Sequence, residues 1–179
     1  PAATAGPHRT AQAPAVHKVR PRAGHKKRWK AYNGPFFNDP HLKSRHFTIE
    51  RRVIDTIRHT PKGATIRIAV YSFDRMPVAE ALIAAYHRGV KVQMLLNDHQ
   101  DTRAMKAIRA AIGTNRFGRS FLYKCRASCR GTANQYNNLH SKFYSFTQAG
   151  KSKDVMAIGS ANMMLNADIH QWNDLFVTA

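Results

Sequence analysis

The sequence predicts an α/β fold, an α/β/α sandwich whose helices cover a mixed, largely parallel sheet. Two observations predict it. Runs rich in β-branched residues alternate with runs whose apolar residues recur at helical spacing. The order strand, helix, strand also forms a parallel pair joined by a right-handed crossover. A chain of 179 residues, 43% of them hydrophobic, is long enough for one domain with its own core.

The elements of this fold can be placed in chain order. Ile49, Val53 and Ile57 recur at helical spacing and predict the first helix. Proline suits the first turn of a helix and glycine its end, so Pro77 and Gly89 bound the second helix. The predicted elements are a helix from Ser44 to a stop at Pro61, a strand over 64–73, a helix between Pro77 and Gly89, a strand over 90–96, a helix over 101–112 and a strand that begins at Phe121.

A later strand carries the most informative residues. Over 139–146 polar and apolar residues alternate, which places His140, Lys142 and Tyr144 on one face of the strand. A hairpin turn over 148–153 then returns the chain into a strand over 155–158. An imidazole and an ammonium are thereby predicted to lie side by side.

The charge of the chain points to an anionic partner. Lys and Arg number 29 against 10 Asp and Glu, a formal net charge of +19, which favours a partner that carries phosphate. Residues 1–30 contain eight of these cations, no acidic residue and no helical or strand period. We interpret them as a disordered basic arm and residues 31–179 as a single folded domain.

The sequence also bears on location and cofactors. No apolar run is long enough to cross a bilayer, and the small-residue start fits what remains after removal of a signal peptide. Cys125 and Cys129 are predicted to form a disulfide, with two free thiols as the alternative, so a secreted protein is expected. The polar segment 97–101 is more typical of a loop after a strand than of a metal site, and neither metal nor cofactor is expected.

A phosphate site is predicted around His140. Histidine can act as a nucleophile or a proton donor, and a lysine two residues along the same face can neutralise a phosphate oxygen. Gly159 allows close backbone approach, while Ser160 and Asn162 add hydrogen-bond donors. His-x-Lys also occurs at residues 25–27 and 41–43, but those copies lack the strand alternation and the downstream glycine and serine.

These residues resemble the signature of the phospholipase D superfamily, in which a His-x-Lys motif precedes a Gly-Ser-x-Asn segment. The resemblance covers about residues 36–179 and extends to the amino-terminal half of secreted bacterial phospholipase D-like proteins. It implies a phospholipase D-type sandwich and metal-independent attack by histidine on phosphorus, with a phosphohistidine intermediate. By resemblance, His140 is nucleophile or general acid, Lys142 and Asn162 bind phosphate, and Ser160 supports them. Asp174, with Asn173 as the alternative, would orient the histidine.

Two departures from the family pattern bear on this resemblance. The family's aspartate five residues after the lysine is replaced by Thr147, for which Asp154 is a candidate substitute. A complete family site also needs two motifs, and this sequence has one. We therefore expect a second motif-bearing half as partner, either a carboxy-terminal chain or a symmetric copy.

Three functions follow as expectations. The first is a metal-independent phosphodiesterase that cleaves phospholipid head groups, with peripheral membrane contact but no transmembrane segment. The second is a nuclease of the same superfamily, which the charge favours. The third belongs to a different class: a nonenzymatic polyanion-binding protein in which Thr147 marks a degenerate site.

Overall fold

A computed structural model describes residues 29–97, 100–126, 129 and 137–179. In the described residues the strands form one seven-stranded sheet of order β1-β7-β6-β5-β2-β3-β4. The elements are β1 (Gly34–Phe37), α1 (Thr48–Arg58), β2 (Thr65–Val70), α2 (Met76–His87), β3 (Lys91–Leu96), α3 (Arg103–Ile112), β4 (Phe121–Lys124), β5 (Lys142–Ala149), β6 (Ser152–Gly159), α4 (Leu165–His170) and β7 (Asp174–Thr178). A 3-10 turn, Lys43–Arg45, precedes α1.

The predicted α/β fold and mixed sheet are confirmed, but the parallel share is smaller than predicted. Among the strands of the described residues, β2–β3 and β3–β4 pair in parallel, and the other four pairings are antiparallel. Parallel neighbours need crossover helices, which α2 and α3 supply. After β4 the chain instead returns to the other side of β2 and continues through a hairpin, in which Gly150 adopts φ +57°.

The core lies between the sheet and helices α1–α3. Ile66, Ile68 and Val70 of β2 are buried against it, and on β5 the predicted alternation holds, since Lys142 and Tyr144 are buried on the same side. Helix α2 contacts both α1 and α3, so the three long helices share one face of the sheet.

The opposite face of the sheet carries an apolar row. Paired residues across neighbouring strands lie on the same face, and here they are Leu95, Ala69, Phe143, Ile158 and Phe176. Ile158 and Phe176 are about half exposed, at 54% and 53%. Within the described ranges, the second helical layer of the predicted α/β/α sandwich is therefore not found.

Two short elements were missed by the sequence prediction. Strand β1 has four residues, including glycine and proline, and α4 has six. Neither is long enough to show a period. Both are fixed by tertiary contacts: β1 pairs with β7, and the Asn38 amide after β1 donates to carbonyls of α4 and the residue after it.

The amino-terminal arm was predicted to span residues 1–30, of which 1–28 lie outside the described residues. Trp29 stacks on His59 with ring centroids 4.3 Å apart. Lys30 forms an isolated bridge with Gly150. These two residues contact the folded domain.

The predicted disulfide is confirmed. Cys125 and Cys129 are joined, with their Cα atoms 4.7 Å apart. Among the helices of the described residues, none has the length and apolarity to cross a membrane.

Candidate functional site

The candidate site lies where the chain enters β5, beside the carboxyl end of β2. Lys142, the first residue of β5, pairs with Val70, the last residue of β2. The backbone N–H of Tyr71 donates to the Ser141 carbonyl at 3.0 Å, which extends this pairing past both strands. His140 is exposed, whereas Lys142 is only 7% exposed. The imidazole is therefore accessible to a substrate, whereas the buried lysine side chain is enclosed by neighbouring residues.

Lys142 and His140 are in direct contact. The lysine Nζ lies 3.2 Å from Nδ1, 3.1 Å from Nε2 and 3.2 Å from the carbonyl oxygen of His140. The ammonium lies at nearly equal distances from both ring nitrogens, so it rests against the imidazole as a whole rather than on the lone pair of one nitrogen. The pair thereby places a candidate nucleophile beside a cation, as attack on a phosphate requires.

Tyr71 completes the wall around this pair. Its ring centroid lies 4.8 Å from that of His140, and the Lys142 ammonium lies 5.5 Å from the tyrosine centroid, within the range of a cation–π contact. Burial lowers the pKa of Lys142. Among the described residues, the lysine is thus placed by an aromatic ring and by β2 rather than by an acidic partner.

The second half of the motif lies on the neighbouring strand. Phe143 of β5 pairs with Ile158 of β6, and continuing this antiparallel register sets Lys142 opposite Gly159. A Cβ at Gly159 would collide with the Asp174 carbonyl oxygen on β7. Glycine is therefore needed at this position because two strand backbones approach closely.

Hydrogen bonds to β7 hold both the backbone N–H and the hydroxyl of Ser160. Its N–H donates to Asp174 Oδ1 at 3.0 Å, and its Oγ accepts from the Asp174 N–H at 3.0 Å. The same hydroxyl donates to Asn173 Oδ1 at 3.0 Å. The described contacts of Asp174 are thus with Ser160, whereas those of His140 are with Lys142 and Tyr71, and the orienting role predicted for Asp174 stays a prediction.

Asn173, the alternative to Asp174, belongs to a buried amide network. Its Nδ2 donates to the Ala167 carbonyl at 3.0 Å, and its backbone N–H donates to Asn38 Oδ1 at 2.7 Å. Asn173 thereby links the serine of the motif to α4 and to the chain after β1.

Asn162 lies in the loop between β6 and α4, and this loop is tied to the exit of β2. The Asp74 N–H donates to the Met163 carbonyl at 2.9 Å, and Asp74 Oδ1 accepts from the Leu165 N–H at 2.9 Å. Asn162 Oδ1 is buried and has no hydrogen-bond partner among the described residues. A buried acceptor of this kind is suited to a donor brought by a ligand or water.

Thr147 has a structural contact of its own. Its hydroxyl oxygen accepts from the backbone N–H of Thr65 at 2.9 Å, at the start of β2. Asp154, the candidate substitute, is exposed on β6 with φ +51°. The threonine itself therefore supplies a hydrogen-bond acceptor between β5 and β2.

A buried charge cluster lies beneath α4. Arg75 Nε is 2.5 Å from Glu50 Oε2 and 3.4 Å from Asp168 Oδ2. Burial, followed by repulsion from Glu50, raises the pKa of Asp168 to about 7. Burial also raises the pKa of Tyr144, with a further contribution from Asp168. One guanidinium therefore serves two buried carboxyl groups next to the loop that carries Asn162.

Sequence reasoning missed two residues that position the site. Tyr71 contacts His140, and buried Asn97 accepts from the Leu139 N–H at 2.8 Å through its Oδ1. Both stand directly after a parallel strand of the sheet, where polar residues line ligand sites in α/β folds. Their position at the carboxyl ends of parallel strands was the feature of the sequence that could have identified them.

The arrangement can hold and attack a phosphodiester. Gly159 and Ser160 lie one strand away from the His140–Lys142 pair, so the cationic and hydrogen-bonding groups converge at one edge of the sheet. In the described ranges no group of three or more metal-ligating side chains is present. The polar segment 97–101 falls partly outside those ranges.

Comparison with known proteins agrees with this geometry. The fold is similar to that of Nuc from Salmonella typhimurium, a phospholipase D family member, with a TM-score of 0.54 and 19% identity over 80% of this chain and 82% of that one. NucT from Helicobacter pylori gives a TM-score of 0.58 and 19% identity over 82% of this chain and 84% of its own. No curated protein sequence matches significantly. The family model described as "Cardiolipin synthase, PLD-like domain" matches residues 53–178. Because that match spans well over half of the chain, the chain belongs to the phospholipase D superfamily of phosphodiesterases.

Proposed function

We propose that this protein is a metal-independent phosphodiesterase in which His140 attacks phosphorus. The observation that carries the proposal is the contact between the exposed His140 ring and the Lys142 ammonium, at 3.1–3.2 Å from its two nitrogens. The exposed ring can present a nitrogen lone pair to phosphorus, while the ammonium lies beside it. The same ammonium can neutralise the non-bridging oxygens as charge grows in the transition state.

The reaction then runs in two balanced steps. An imidazole nitrogen of His140 forms a bond to phosphorus while the bond to the leaving oxygen breaks, and that oxygen takes a proton from a second histidine. Water next gives a proton to the second histidine and attacks phosphorus, which releases His140 and the phosphate product. The side-chain amide of Asn162 can donate to a phosphoryl oxygen during both steps, whereas Ser160, whose donors are engaged by Asn173 and Asp174, supports the loop that carries it.

The second histidine belongs to a partner in this proposal. The chain carries one His-x-Lys motif with a downstream Gly-Ser-x-Asn segment, so a symmetric copy or a separate motif-bearing chain would bring the proton donor to the open side of His140. The exposure of the imidazole supports such an arrangement.

Among phosphodiesters we favour a nucleic acid strand as substrate. The described surface is rich in exposed cations, and the site is an open edge of the sheet rather than an enclosed apolar cavity for an acyl chain. Phosphate-rich polymers bind such surfaces by counterion release.

Phospholipid is the second candidate, and one observation favours it. Leu42, Leu165 and Trp172 are exposed close to the loops that surround the site, and Trp172 lies 5.9 Å from the His41 ring. Apolar and aromatic side chains beside Lys43 and Arg45 suit a membrane interface. The disulfide supports secretion, since such bonds persist in oxidising compartments.

The proposal is tested by turnover of bis(p-nitrophenyl) phosphate and by nicking of plasmid DNA, both in EDTA, with release of head groups from phospholipid vesicles as the competing assay. His140→Ala should abolish turnover, and rapid quenching should trap a phosphoryl adduct on the unmodified protein but not on this variant. His41→Ala, in the other His-x-Lys segment that the structure describes, is the matched control. Unchanged turnover in His140→Ala would refute the proposal.

A further inference from the structure

A groove separate from the candidate site lies along α1. It has a volume of about 600 Å³ and is lined by residues of the 3-10 turn and of α1. Its charged lining is Arg45, Arg51, Arg52, Asp55 and Arg58. Four guanidinium groups and one carboxylate give the groove a formal charge of +3, which favours an anionic ligand.

Among the described residues, these arginines have no ion-pair partner at salt-bridge distance. Within the described part of the chain, salt bridges are formed by Arg75 and Arg109, and none involves the four groove arginines. Asp55, the one acidic residue of the groove, instead accepts a hydrogen bond from the Tyr32 hydroxyl at 3.3 Å. The guanidinium groups therefore keep their charge for an external partner.

Two of the arginines are already held in place. Arg51 Nη2 donates to the Ser44 carbonyl at 2.9 Å. The Arg52 guanidinium lies 3.9 Å from the Tyr32 ring centroid and 4.9 Å from that of Phe36. Because a planar guanidinium offers five donors, each retains N–H groups for a phosphate, and its fixed position lowers the entropic cost of binding.

The shape of the groove indicates a polymer rather than a single anion. Helix α1 has 11 residues, which at 1.5 Å per residue makes it about 16 Å long. Arg51 and Arg58 stand two turns apart, roughly 10 Å along the axis. That separation exceeds the reach of one phosphate group, whereas a nucleic acid strand carries several phosphates over the same length.

The groove starts at the end of the sheet that carries His140. Glu50, in the first turn of α1, binds Arg75, which follows β2 and precedes α2. From there α1 runs along the side of the domain, away from the site. A flat membrane placed against His140 would meet only the Arg45 end of this row, whereas a flexible strand can follow all of it.

We propose that the α1 groove binds the sugar–phosphate backbone of a nucleic acid strand whose scissile phosphodiester lies at His140. This inference rests on the proposed function, to which it adds the surface that binds the substrate outside the site. The groove arginines act as binding residues that hold the strand on one side of the cleaved bond.

The test compares two double variants of the full chain that remove equal charge. Arg51→Gln with Arg58→Gln alters the groove. Arg116→Gln with Arg119→Gln, in the exposed loop before β4, is the control. Binding of a fluorescent single-stranded oligonucleotide is measured by anisotropy in EDTA over a series of salt concentrations, and turnover of bis(p-nitrophenyl) phosphate is measured beside it.

We expect the groove variant to bind the oligonucleotide roughly 10-fold more weakly at 0.1 M salt. Its salt dependence should fall by about 1.4 in log–log slope, the loss of two single-strand phosphate contacts. The control variant should change binding much less, and turnover of the small diester should be unchanged in both. Turnover of the small diester by the His140→Ala variant tests the proposed chemistry, whereas oligonucleotide binding by the groove variant tests the groove. The two proposals can therefore fail separately.

Three results would overturn the inference. The groove variant could bind as tightly as the unmodified protein, or both double variants could lose the same affinity, which would indicate general charge attraction. The third is a groove variant that loses binding to anionic phospholipid vesicles while it keeps its affinity for the oligonucleotide.

Discussion

Two segments in the described part of this chain carry the same His-x-Lys pattern, and their surroundings in the fold differ. His140 and Lys142 stand at the entry to a central strand, where the lysine is buried and contacts the imidazole. His41 and Lys43 lie before and within the 3-10 turn, and both are exposed. Residues two apart share a face on a strand but not on a helical turn. The His-x-Lys pattern therefore forms a candidate site only where a strand places the two side chains on one face.

Removal of the lysine should separate the two segments most strongly. Lys142→Met keeps the length of the side chain but takes away the ammonium that would stabilise the transition state. We expect turnover to fall by about 10²–10³-fold, as for the loss of one preorganised donor. Steady-state kinetics with bis(p-nitrophenyl) phosphate measures this effect. Lys43→Met should leave turnover unchanged, and equal losses in both variants would remove the distinction between the segments.

The neighbouring strand sharpens the same comparison, because only the His140 segment has a glycine opposite it. Gly159→Ala would drive a methyl group into the Asp174 carbonyl of β7. We expect a loss of about 1–3 kcal/mol in the free energy of unfolding, typical of overpacking, together with reduced turnover. Denaturant unfolding measures the first effect. Gly118→Ala, in the loop before β4, is the control, because its Cβ would lie 3.1 Å from the nearest atom instead of colliding with one, and a Gly159→Ala variant no less stable than that control would contradict the close approach.

The His140 segment also lies near buried charge, which should make stability depend on pH. With a pKa raised to about 7, Asp168 keeps its proton in the folded protein while the unfolded chain has already lost it above about pH 4. This group therefore destabilises the fold progressively as pH rises from about 4 to about 7, and its contribution is constant above that range.

Asp168→Asn should remove that dependence. Relative to the unmodified protein, the variant should gain stability as pH rises through this window, by at most about 1.4 kcal/mol per pH unit. The surrounding charges, Glu50, Arg75, Asp74 and Arg51, stay in place. Urea unfolding at pH 5, 6, 7 and 8 measures the difference. Parallel curves for the two proteins would show that Asp168 does not titrate in this range.

The contrast between the segments also explains what sequence could predict. Helix α2 was bounded correctly to within a residue or two because Pro77 and Gly89 act locally, and Gly89 adopts the φ of +88° that favours glycine. The pairing of His140 with Lys142 followed from strand alternation. These features depend on a few neighbouring residues.

Features that depend on distant contacts were not predicted. Strand β1 exists because β7 pairs with it, and Asn97 became a positioning residue because the chain 42 positions later returns to it. The sequence could not show that one face of the sheet is uncovered. The strands that contain Ile158 and Phe176 have the same polar–apolar alternation as strands that lie beneath a helix. Local patterns indicate which residues share a face but not what covers that face.

The smallest expected effect concerns Thr147, where the family's aspartate is absent. Its hydroxyl accepts from the Thr65 N–H, so Thr147→Val removes an acceptor from a partly buried backbone donor while it keeps the shape of the side chain. We expect a loss of about 1 kcal/mol in the free energy of unfolding, as for one hydrogen bond, and unchanged turnover. Denaturant unfolding and diester kinetics measure the two quantities. Thr178→Val, at the exposed end of β7, controls for the change of residue type. Lost turnover with full stability in Thr147→Val would place this hydroxyl in the chemistry instead of in the join between β5 and β2.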